Sequence, residues 1–508
     1  MVNAQMVNVR FPLVLLALVL LFFGYTATQF PCTYIMMEGD DFWVLTRDFW
    51  QLKLSTLPAF TMWLTDFLTQ FYGSPYVGAG ITASVLGLTG LLAYQVLYVL
   101  TNKGAAGRKV SLLRWLALLP PILLGYFSPF ILSFQLQWLF FFALALVFLY
   151  TPALWGKVIC AVLCVPLGFL LMRTPQLCLL QLLFAAVMYK EHYCTEGAGG
   201  RWKAVGTGVL LLLASCSLPL IYSQQFAFIP FSQRYTVWGG HAGLLTGRKS
   251  HESEFIRRMI CLADEQRWED LLYRARAKQE ARRGNATALR FALLAESALG
   301  TLPENLFDYP INDENLFLYR HEQNYVALQF NRLFYLNLGI YDEAFHHAQE
   351  FSLLQSNGTC FSSLRQMVEY SLREGEWEVA EKFLNILSKS SCHSRFVSEK
   401  RGEMAALWQK HRDEVPLRAD NLVGGWPLPV EMLRLERYYG NSPHRKQMID
   451  YAICCYMLRG DVRSFLTVIN SVDLYKGKEL PRAYREFLER YSSAASTASP
   501  VSNPLETR

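Results

Sequence analysis

The sequence predicts an all-α protein in two unlike parts: a polytopic helical membrane bundle of about seven spans, then an α-helical repeat domain. Three observations lead there. Charge is scarce, with 18% of the 508 residues charged and 52% apolar, where soluble domains carry roughly 25% charged residues. Long uncharged apolar runs fill residues 1–222, which hold 12 Lys and Arg and 7 Asp and Glu, against 36 and 35 in residues 223–508. The second part also repeats a short turn motif after 36 residues. A soluble enzyme of uniform composition is excluded. The expected division is a membrane domain at 1–222, a linker at 223–252, a helical repeat domain at 253–491 and a disordered Ser/Ala/Pro-rich tail at 492–508.

The first span follows Arg10. Phe11 to Phe30 contains no charge, which meets the length of about 20 apolar residues that a bilayer requires. Bulky Tyr25 in Tyr25-Thr26-Ala27-Thr28 disfavours signal cleavage, so the segment reads as an uncleaved anchor. Six further spans are expected at Pro75–Thr101, Leu112–Ser133, Leu136–Leu154, Lys157–Met172, Thr174–Tyr189 and Lys203–Tyr222. Pro120, Pro121, Pro129, Pro166 and Pro219 should kink or end helices.

Lys and Arg near the spans set the orientation. With the N-terminus inside, the inner segments carry Arg10, Lys103, Arg108, Lys109, Arg114, Lys157, Lys190, Arg201 and Lys203. The outer ones carry Arg47, Lys53, Arg173 and Arg234. The bias predicts a multi-pass membrane protein with a cytoplasmic N-terminus and an extracytoplasmic C-terminal domain, which lies in the periplasm, from the inner membrane, if the source is a Gram-negative bacterium. The bilayer is then the first partner. The net charge of +6 is a topology signal, and with no concentrated basic face no nucleic-acid partner is expected.

The first outside loop, residues 31–74, holds the candidate chemistry. It opens Glu38-Gly39-Asp40-Asp41-Phe42-Trp43, and from Pro58 to Tyr72 its aromatic and apolar residues recur at helical spacing, as in an interfacial helix. Clustered carboxylates beside a membrane either solvate the loop or form a site that holds a divalent cation or removes a proton from a hydroxyl. Glu38, Asp40 and Asp41 are the candidate catalytic residues, with Asp40 or Asp41 as base or metal ligand.

This layout resembles that of GT-C-type membrane glycosyltransferases, which carry acidic residues in the first outside loop beside interfacial helices. The resemblance covers about residues 10–222. It implies a lipid-phosphate-linked sugar as donor and a possible divalent cation as cofactor. Phe67-Leu68-Thr69-Gln70-Phe71-Tyr72, leading through Pro75 to Gly78-Ala79, together with the tail, resembles an uncharacterised family of bacterial polytopic membrane proteins with tetratricopeptide-like tails.

In the second part, Leu338-Gly339-Ile340-Tyr341-Asp342-Glu343-Ala344 aligns with Glu374-Gly375-Glu376-Trp377-Glu378-Val379-Ala380, 36 residues on. Gly would end one helix in a left-handed conformation, the aromatic would fill the inter-helix gap, and Ala would let the next helix pack closely. The pattern resembles tetratricopeptide repeats, whose period is about 34 residues, and so implies a surface that binds a protein partner. Arg267-Trp268-Glu269-Asp270-Leu271 echoes the turn without its Gly, and Leu458-Arg459-Gly460-Asp461-Val462 keeps the Gly. Helix pairs are expected near 253–299, 324–356, 359–390 and 444–490, with loops at Gly300–Gln323 and Asp413–Pro429. His346-His347 reads as an exposed pair. The 11 cysteines show no regular disulfide spacing, and no Gly-x-Ser-x-Gly, His-Glu-x-x-His or Cys-x-x-Cys motif occurs.

Overall fold

The computed structural model describes residues 2–102, 113–225, 245–246, 248–281, 285–311, 313–320, 322–355, 357–411 and 443–497. No strand occurs among them. The chain divides into two compact units, Met1–Glu254 with Lys389–His393, and Phe255–Ser388 with Ser394–Arg508.

The first unit contains α1 (Val2–Gln29), α2 (Pro31–Asp40), α3 (Arg47–Leu54), α4 (Ala59–Thr69) and α5 (Pro75–Asn102). A 3-10 turn, Trp115–Leu118, then leads into α6 (Leu119–Phe127), α7 (Leu132–Tyr150), α8 (Leu154–Leu171) and α9 (Thr174–Gln225). Among the described residues, five stretches are long and apolar enough to cross a membrane: Arg10–Gln29, Pro75–Thr101, Leu132–Tyr150, Leu154–Leu171 and Trp202–Tyr222. The helices are compatible with a membrane protein, but seven spans were expected, and two segments fall short.

The first is Leu112–Ser133. Pro120 and Pro121 lie in the first turn of α6, and the chain leaves helical geometry between Phe127 and Leu132, around Pro129. What remains is a short apolar helix, Trp115–Phe127. The second is Thr174–Tyr189, which becomes the first arm of α9. That helix has 52 residues, roughly 78 Å if straight. Yet Cys178 and Cys216 bring their sulfurs to 3.6 Å, and a Cβ on Gly208 would lie 2.7 Å from that of Ala185. The two arms therefore run side by side, and the chain reverses between them.

Packing within the bundle relies on close approach. A Cβ on Gly90 of α5 would sit 2.8 Å from Leu15 of α1, so glycine sets that helix–helix distance. Phe148 and Phe184 stack at 3.9 Å. Leucines such as Leu21, Leu163 and Leu210 face outward, as lipid-facing side chains do.

The second unit contains α10 (Arg248–Asp264), α11 (Trp268–Ala281), α12 (Ala286–Leu299) and α13 (Leu302–Asn305), with α10 straddling the boundary between units. It continues with α14 (Tyr325–Leu338), α15 (Tyr341–Leu354), α16 (Phe361–Glu374), α17 (Trp377–Leu387) and α18 (Ser394–His411). It closes with α19 (Arg445–Arg459), α20 (Val462–Ser471) and α21 (Arg482–Thr497).

The turn chemistry expected for Gly339, Gly375 and Gly460 is present. Their φ angles are +72°, +75° and +68°. After each, the next amide donates back across the turn: Ile340 to Tyr335 at 3.0 Å, Glu376 to Ser371 at 2.8 Å, Asp461 to Tyr456 at 2.9 Å. This closure satisfies carbonyls that a helix end leaves open. Ala344 and Ala380 are fully buried, as close packing of each second helix requires. Where the glycine is missing, Gln266 adopts φ 57°, and the Arg267 amide still reaches the Leu262 carbonyl at 2.9 Å.

Other expectations change. The stretches near 253–299 and 444–490 each hold three helices instead of two. Gly300–Gln323 contains α13 and two 3-10 turns. Helix α21 extends to Thr497, into the stretch expected to lack order. His347 is largely buried and stacks on Tyr335 at 5.4 Å, so only His346 is exposed. Asp413–Pro429, Lys103, Arg108, Lys109 and Arg234 lie outside the described residues. Among the described residues no disulfide links the cysteines.

Candidate functional site

Residues 31–74 form a helical cap that belongs to the first unit. Pro31 opens α2, where its missing N–H costs nothing. No side chain of its own caps that end. The buried carboxylate of Glu254 does so instead, accepting from the Cys32 amide at 3.0 Å, the Thr33 amide at 2.9 Å and the Thr33 hydroxyl at 2.6 Å. An anion at a helix N-terminus is favoured by the orphan amides and the helix dipole. Helix α2 ends at Asp40, and Asp41 follows in extended conformation. Thr46 then caps α3 by accepting from the Phe49 amide at 3.3 Å.

Helix α4 begins after Pro58 and is shorter than the expected Pro58–Tyr72 segment. One side of it is aromatic: Trp63 packs edge-on against Trp43 at 5.5 Å and stacks with Phe67 at 6.2 Å. Its buried side is polar, with Thr61, Asp66 and Thr69. Thr61 donates to the Leu171 carbonyl at 2.6 Å, which ties α4 to the end of α8.

The charged centre of the cap is the pair Lys53–Asp66. Both side chains are buried and in direct contact. Asp41 joins them through Thr69, whose hydroxyl donates to Asp41 Oδ2 at 2.9 Å. Burial raises the Asp41 carboxyl to about pKa 7, Asp66 and Asp40 add to the rise, and Thr69 and Lys53 oppose it. The cap thus holds a carboxyl poised to gain or lose a proton near neutral pH, a property suited to a general base.

Of the three predicted residues, Asp41 sits in this centre and Asp40 acts on it electrostatically. Glu38 lies beside the turn after α4, its Oε1 3.9 Å from where a Cβ on Gly73 would be. Lys53, Asp66 and Thr69 were not among the sequence candidates. A signal for two of them existed: Thr61, Thr65, Asp66 and Thr69 form a polar stripe on an otherwise apolar helix. A divalent cation fits poorly here. The Lys53 ammonium already meets the Asp66 carboxylate, and among the described residues no three His, Cys, Asp or Glu side chains converge as a metal site.

Fold and cap together define an all-helical protein with several bilayer-length apolar helices and a buried charge cluster in its first loop. The chain belongs to a family of unknown function, DUF6057, whose model matches residues 5–503. No curated protein and no solved structure matches it.

Proposed function

We propose that this protein presents a tetratricopeptide-like helical array outside the cytoplasm, from a bacterial inner-membrane anchor, and binds a protein partner during envelope assembly. The observation carrying this is the pair of hairpins α14–α15 and α16–α17. Their helices start 36 residues apart, at Tyr325 and Phe361 and again at Tyr341 and Trp377, and each turns on a left-handed glycine. Stacked hairpins of this kind present extended binding surfaces. Leu353 and Leu354, exposed at the end of α15, are suitable probe positions. A photo-crosslinker at Leu353 of the full chain in intact cells should give one discrete adduct, and protease added to spheroplasts should cut the second unit. Diffuse or absent adducts from several hairpin positions would remove the partner; protection from protease would remove the extracytoplasmic placement.

A second reading, a GT-C-like transferase, is favoured by the Asp41 environment. Here the Asp41 carboxylate takes the proton of an acceptor hydroxyl. The acceptor oxygen bonds the sugar anomeric carbon, and the carbon–oxygen bond to the lipid phosphate breaks, its electron pair leaving with the phosphate. Because the base must be ionised, the rate should fall as pH drops below about 7. Asp41→Asn should lower product formation from a lipid-linked sugar by roughly 10²-fold or more and remove that acid limb. Asp40→Asn should shift the limb to lower pH, since Asp40 raises the Asp41 pKa. An unchanged glycan profile in Asp41→Asn membranes, with the cap still folded by tryptophan fluorescence, eliminates this reading.

A further inference from the structure

A second polar site lies within the first unit, where the ends of α5 and α7, the start of α8 and the first arm of α9 meet. A cavity of ≈ 680 Å³ opens there. One wall is apolar, with Val99, Leu100, Leu149 and Val187; its polar lining includes Lys157, Lys190 and Thr151. Lys157 is buried in the first turn of α8, and its ammonium contacts both carboxylate oxygens of Glu191. The pair is neutral together, so the exposed Lys190 leaves the lining one positive charge in excess.

The surroundings identify the depth. Tyr150, Trp155 and Trp202 are 63%, 79% and 78% exposed. Tyr150 lines the cavity, Trp155 follows the lining residue Leu154, and Trp202 begins the second arm of α9 beside the end of the first. Exposed Tyr and Trp flanking apolar spans mark the head-group level of a bilayer.

We infer that this cavity binds one monoanionic phospholipid. Its phosphate would contact Lys190 and Lys157, and an acyl chain would lie along the Leu100–Val187 wall. Basic pockets between membrane helices recognise acidic head groups in this way. A net charge of one matches one phosphodiester, and a cavity with a polar mouth and an apolar wall matches a lipid better than free phosphate. The inference is independent of both readings of the cap.

Native mass spectrometry of the full chain tests it, with dioleoyl phosphatidylglycerol and dioleoyl phosphatidylcholine as probes. The acidic lipid should be retained at one copy, in preference to the zwitterionic lipid with the same chains. Lys190→Gln, at an exposed position, should weaken retention roughly tenfold. Leu100→Trp, which fills the wall without altering charge, should weaken it as much or more. Equal retention of the two lipids, or unchanged retention in both variants, overturns the proposal. So does full displacement by millimolar inorganic phosphate, which would show that the head-group anion alone is recognised.

Discussion

Lys53→Met is expected to destabilise the cap by about 3–5 kcal/mol, the usual cost of removing one partner from a buried ion pair. Methionine fills much of the same space, so the loss is chiefly electrostatic. Asp66 would remain buried without the ammonium that neutralises it, and Asp41 would lose the cation that opposes its raised pKa. The double variant Lys53→Met/Asp66→Leu removes both charges and should recover most of the loss, since well-packed apolar replacements of buried pairs are often neutral or stabilising. Thermal unfolding of the full chain in detergent, followed by tryptophan fluorescence from Trp43 and Trp63, measures both. A Lys53→Met variant within about 1 kcal/mol of the parent would show the pair to be solvated in practice.

The pH dependence has a defined sign. A carboxyl raised from 3.8 to about 7 by folding binds a proton in the native state that the unfolded chain has released. Across that window stability falls as pH rises, and the full penalty applies above about pH 7. Lys53 partly offsets the penalty. The deficit of Lys53→Met should therefore be larger at pH 8 than at pH 5, and adding Asp41→Asn should remove Asp41's share of that difference.

Local rules were the most legible part of the fold. The turns at Gly339, Gly375 and Gly460 were readable because a left-handed helix end has a strong preference for one residue type. Gln266 shows that the closure persists without that residue, so its Gly-less echo at 267–271 did mark a turn. Span count was less legible. Hydropathy does not reveal that the Pro120-Pro121 helix stays short, nor that Thr174–Tyr189 and Lys203–Tyr222 are arms of one reversing segment. The site was legible only in part. Asp40 and Asp41 stood out as adjacent acids next to a span. Lys53 did not, because a lone lysine in an outside loop carries the pattern of a solvated residue, and its burial depends on Asp66 arriving from another helix. Glu254 illustrates the same limit: it caps a helix 221 residues earlier at Thr33, a pairing with no local trace.

Arg332→Met should cost the second unit about 3–5 kcal/mol by the same physics in a different setting. In sequence, Arg332 is one more charge on an amphipathic helix. In the structure it is 1% exposed, and its guanidinium donates to Asp264 at 2.8 Å, Tyr370 at 2.9 Å and Gln329 at 3.0 Å. These partners lie on α10, α16 and α14 itself, so one side chain joins three helices of successive layers. Arg332→Lys should recover only part of the loss, because an ammonium on a flexible stem cannot reproduce the planar fork of donors. Asp264→Asn keeps an acceptor but leaves the guanidinium without its anion, and should fall between the parent and Arg332→Met. Limited proteolysis of the full chain separates this effect from the cap: cleavage should accelerate within 255–497 while the apolar helices stay protected. If the layers position a partner surface, Arg332→Met should also abolish the Leu353 crosslink at temperatures where the parent retains it. Parent-like proteolysis and unfolding in Arg332→Met would mean that packing around Ala327, Leu333 and Val368 holds these layers without the charge network.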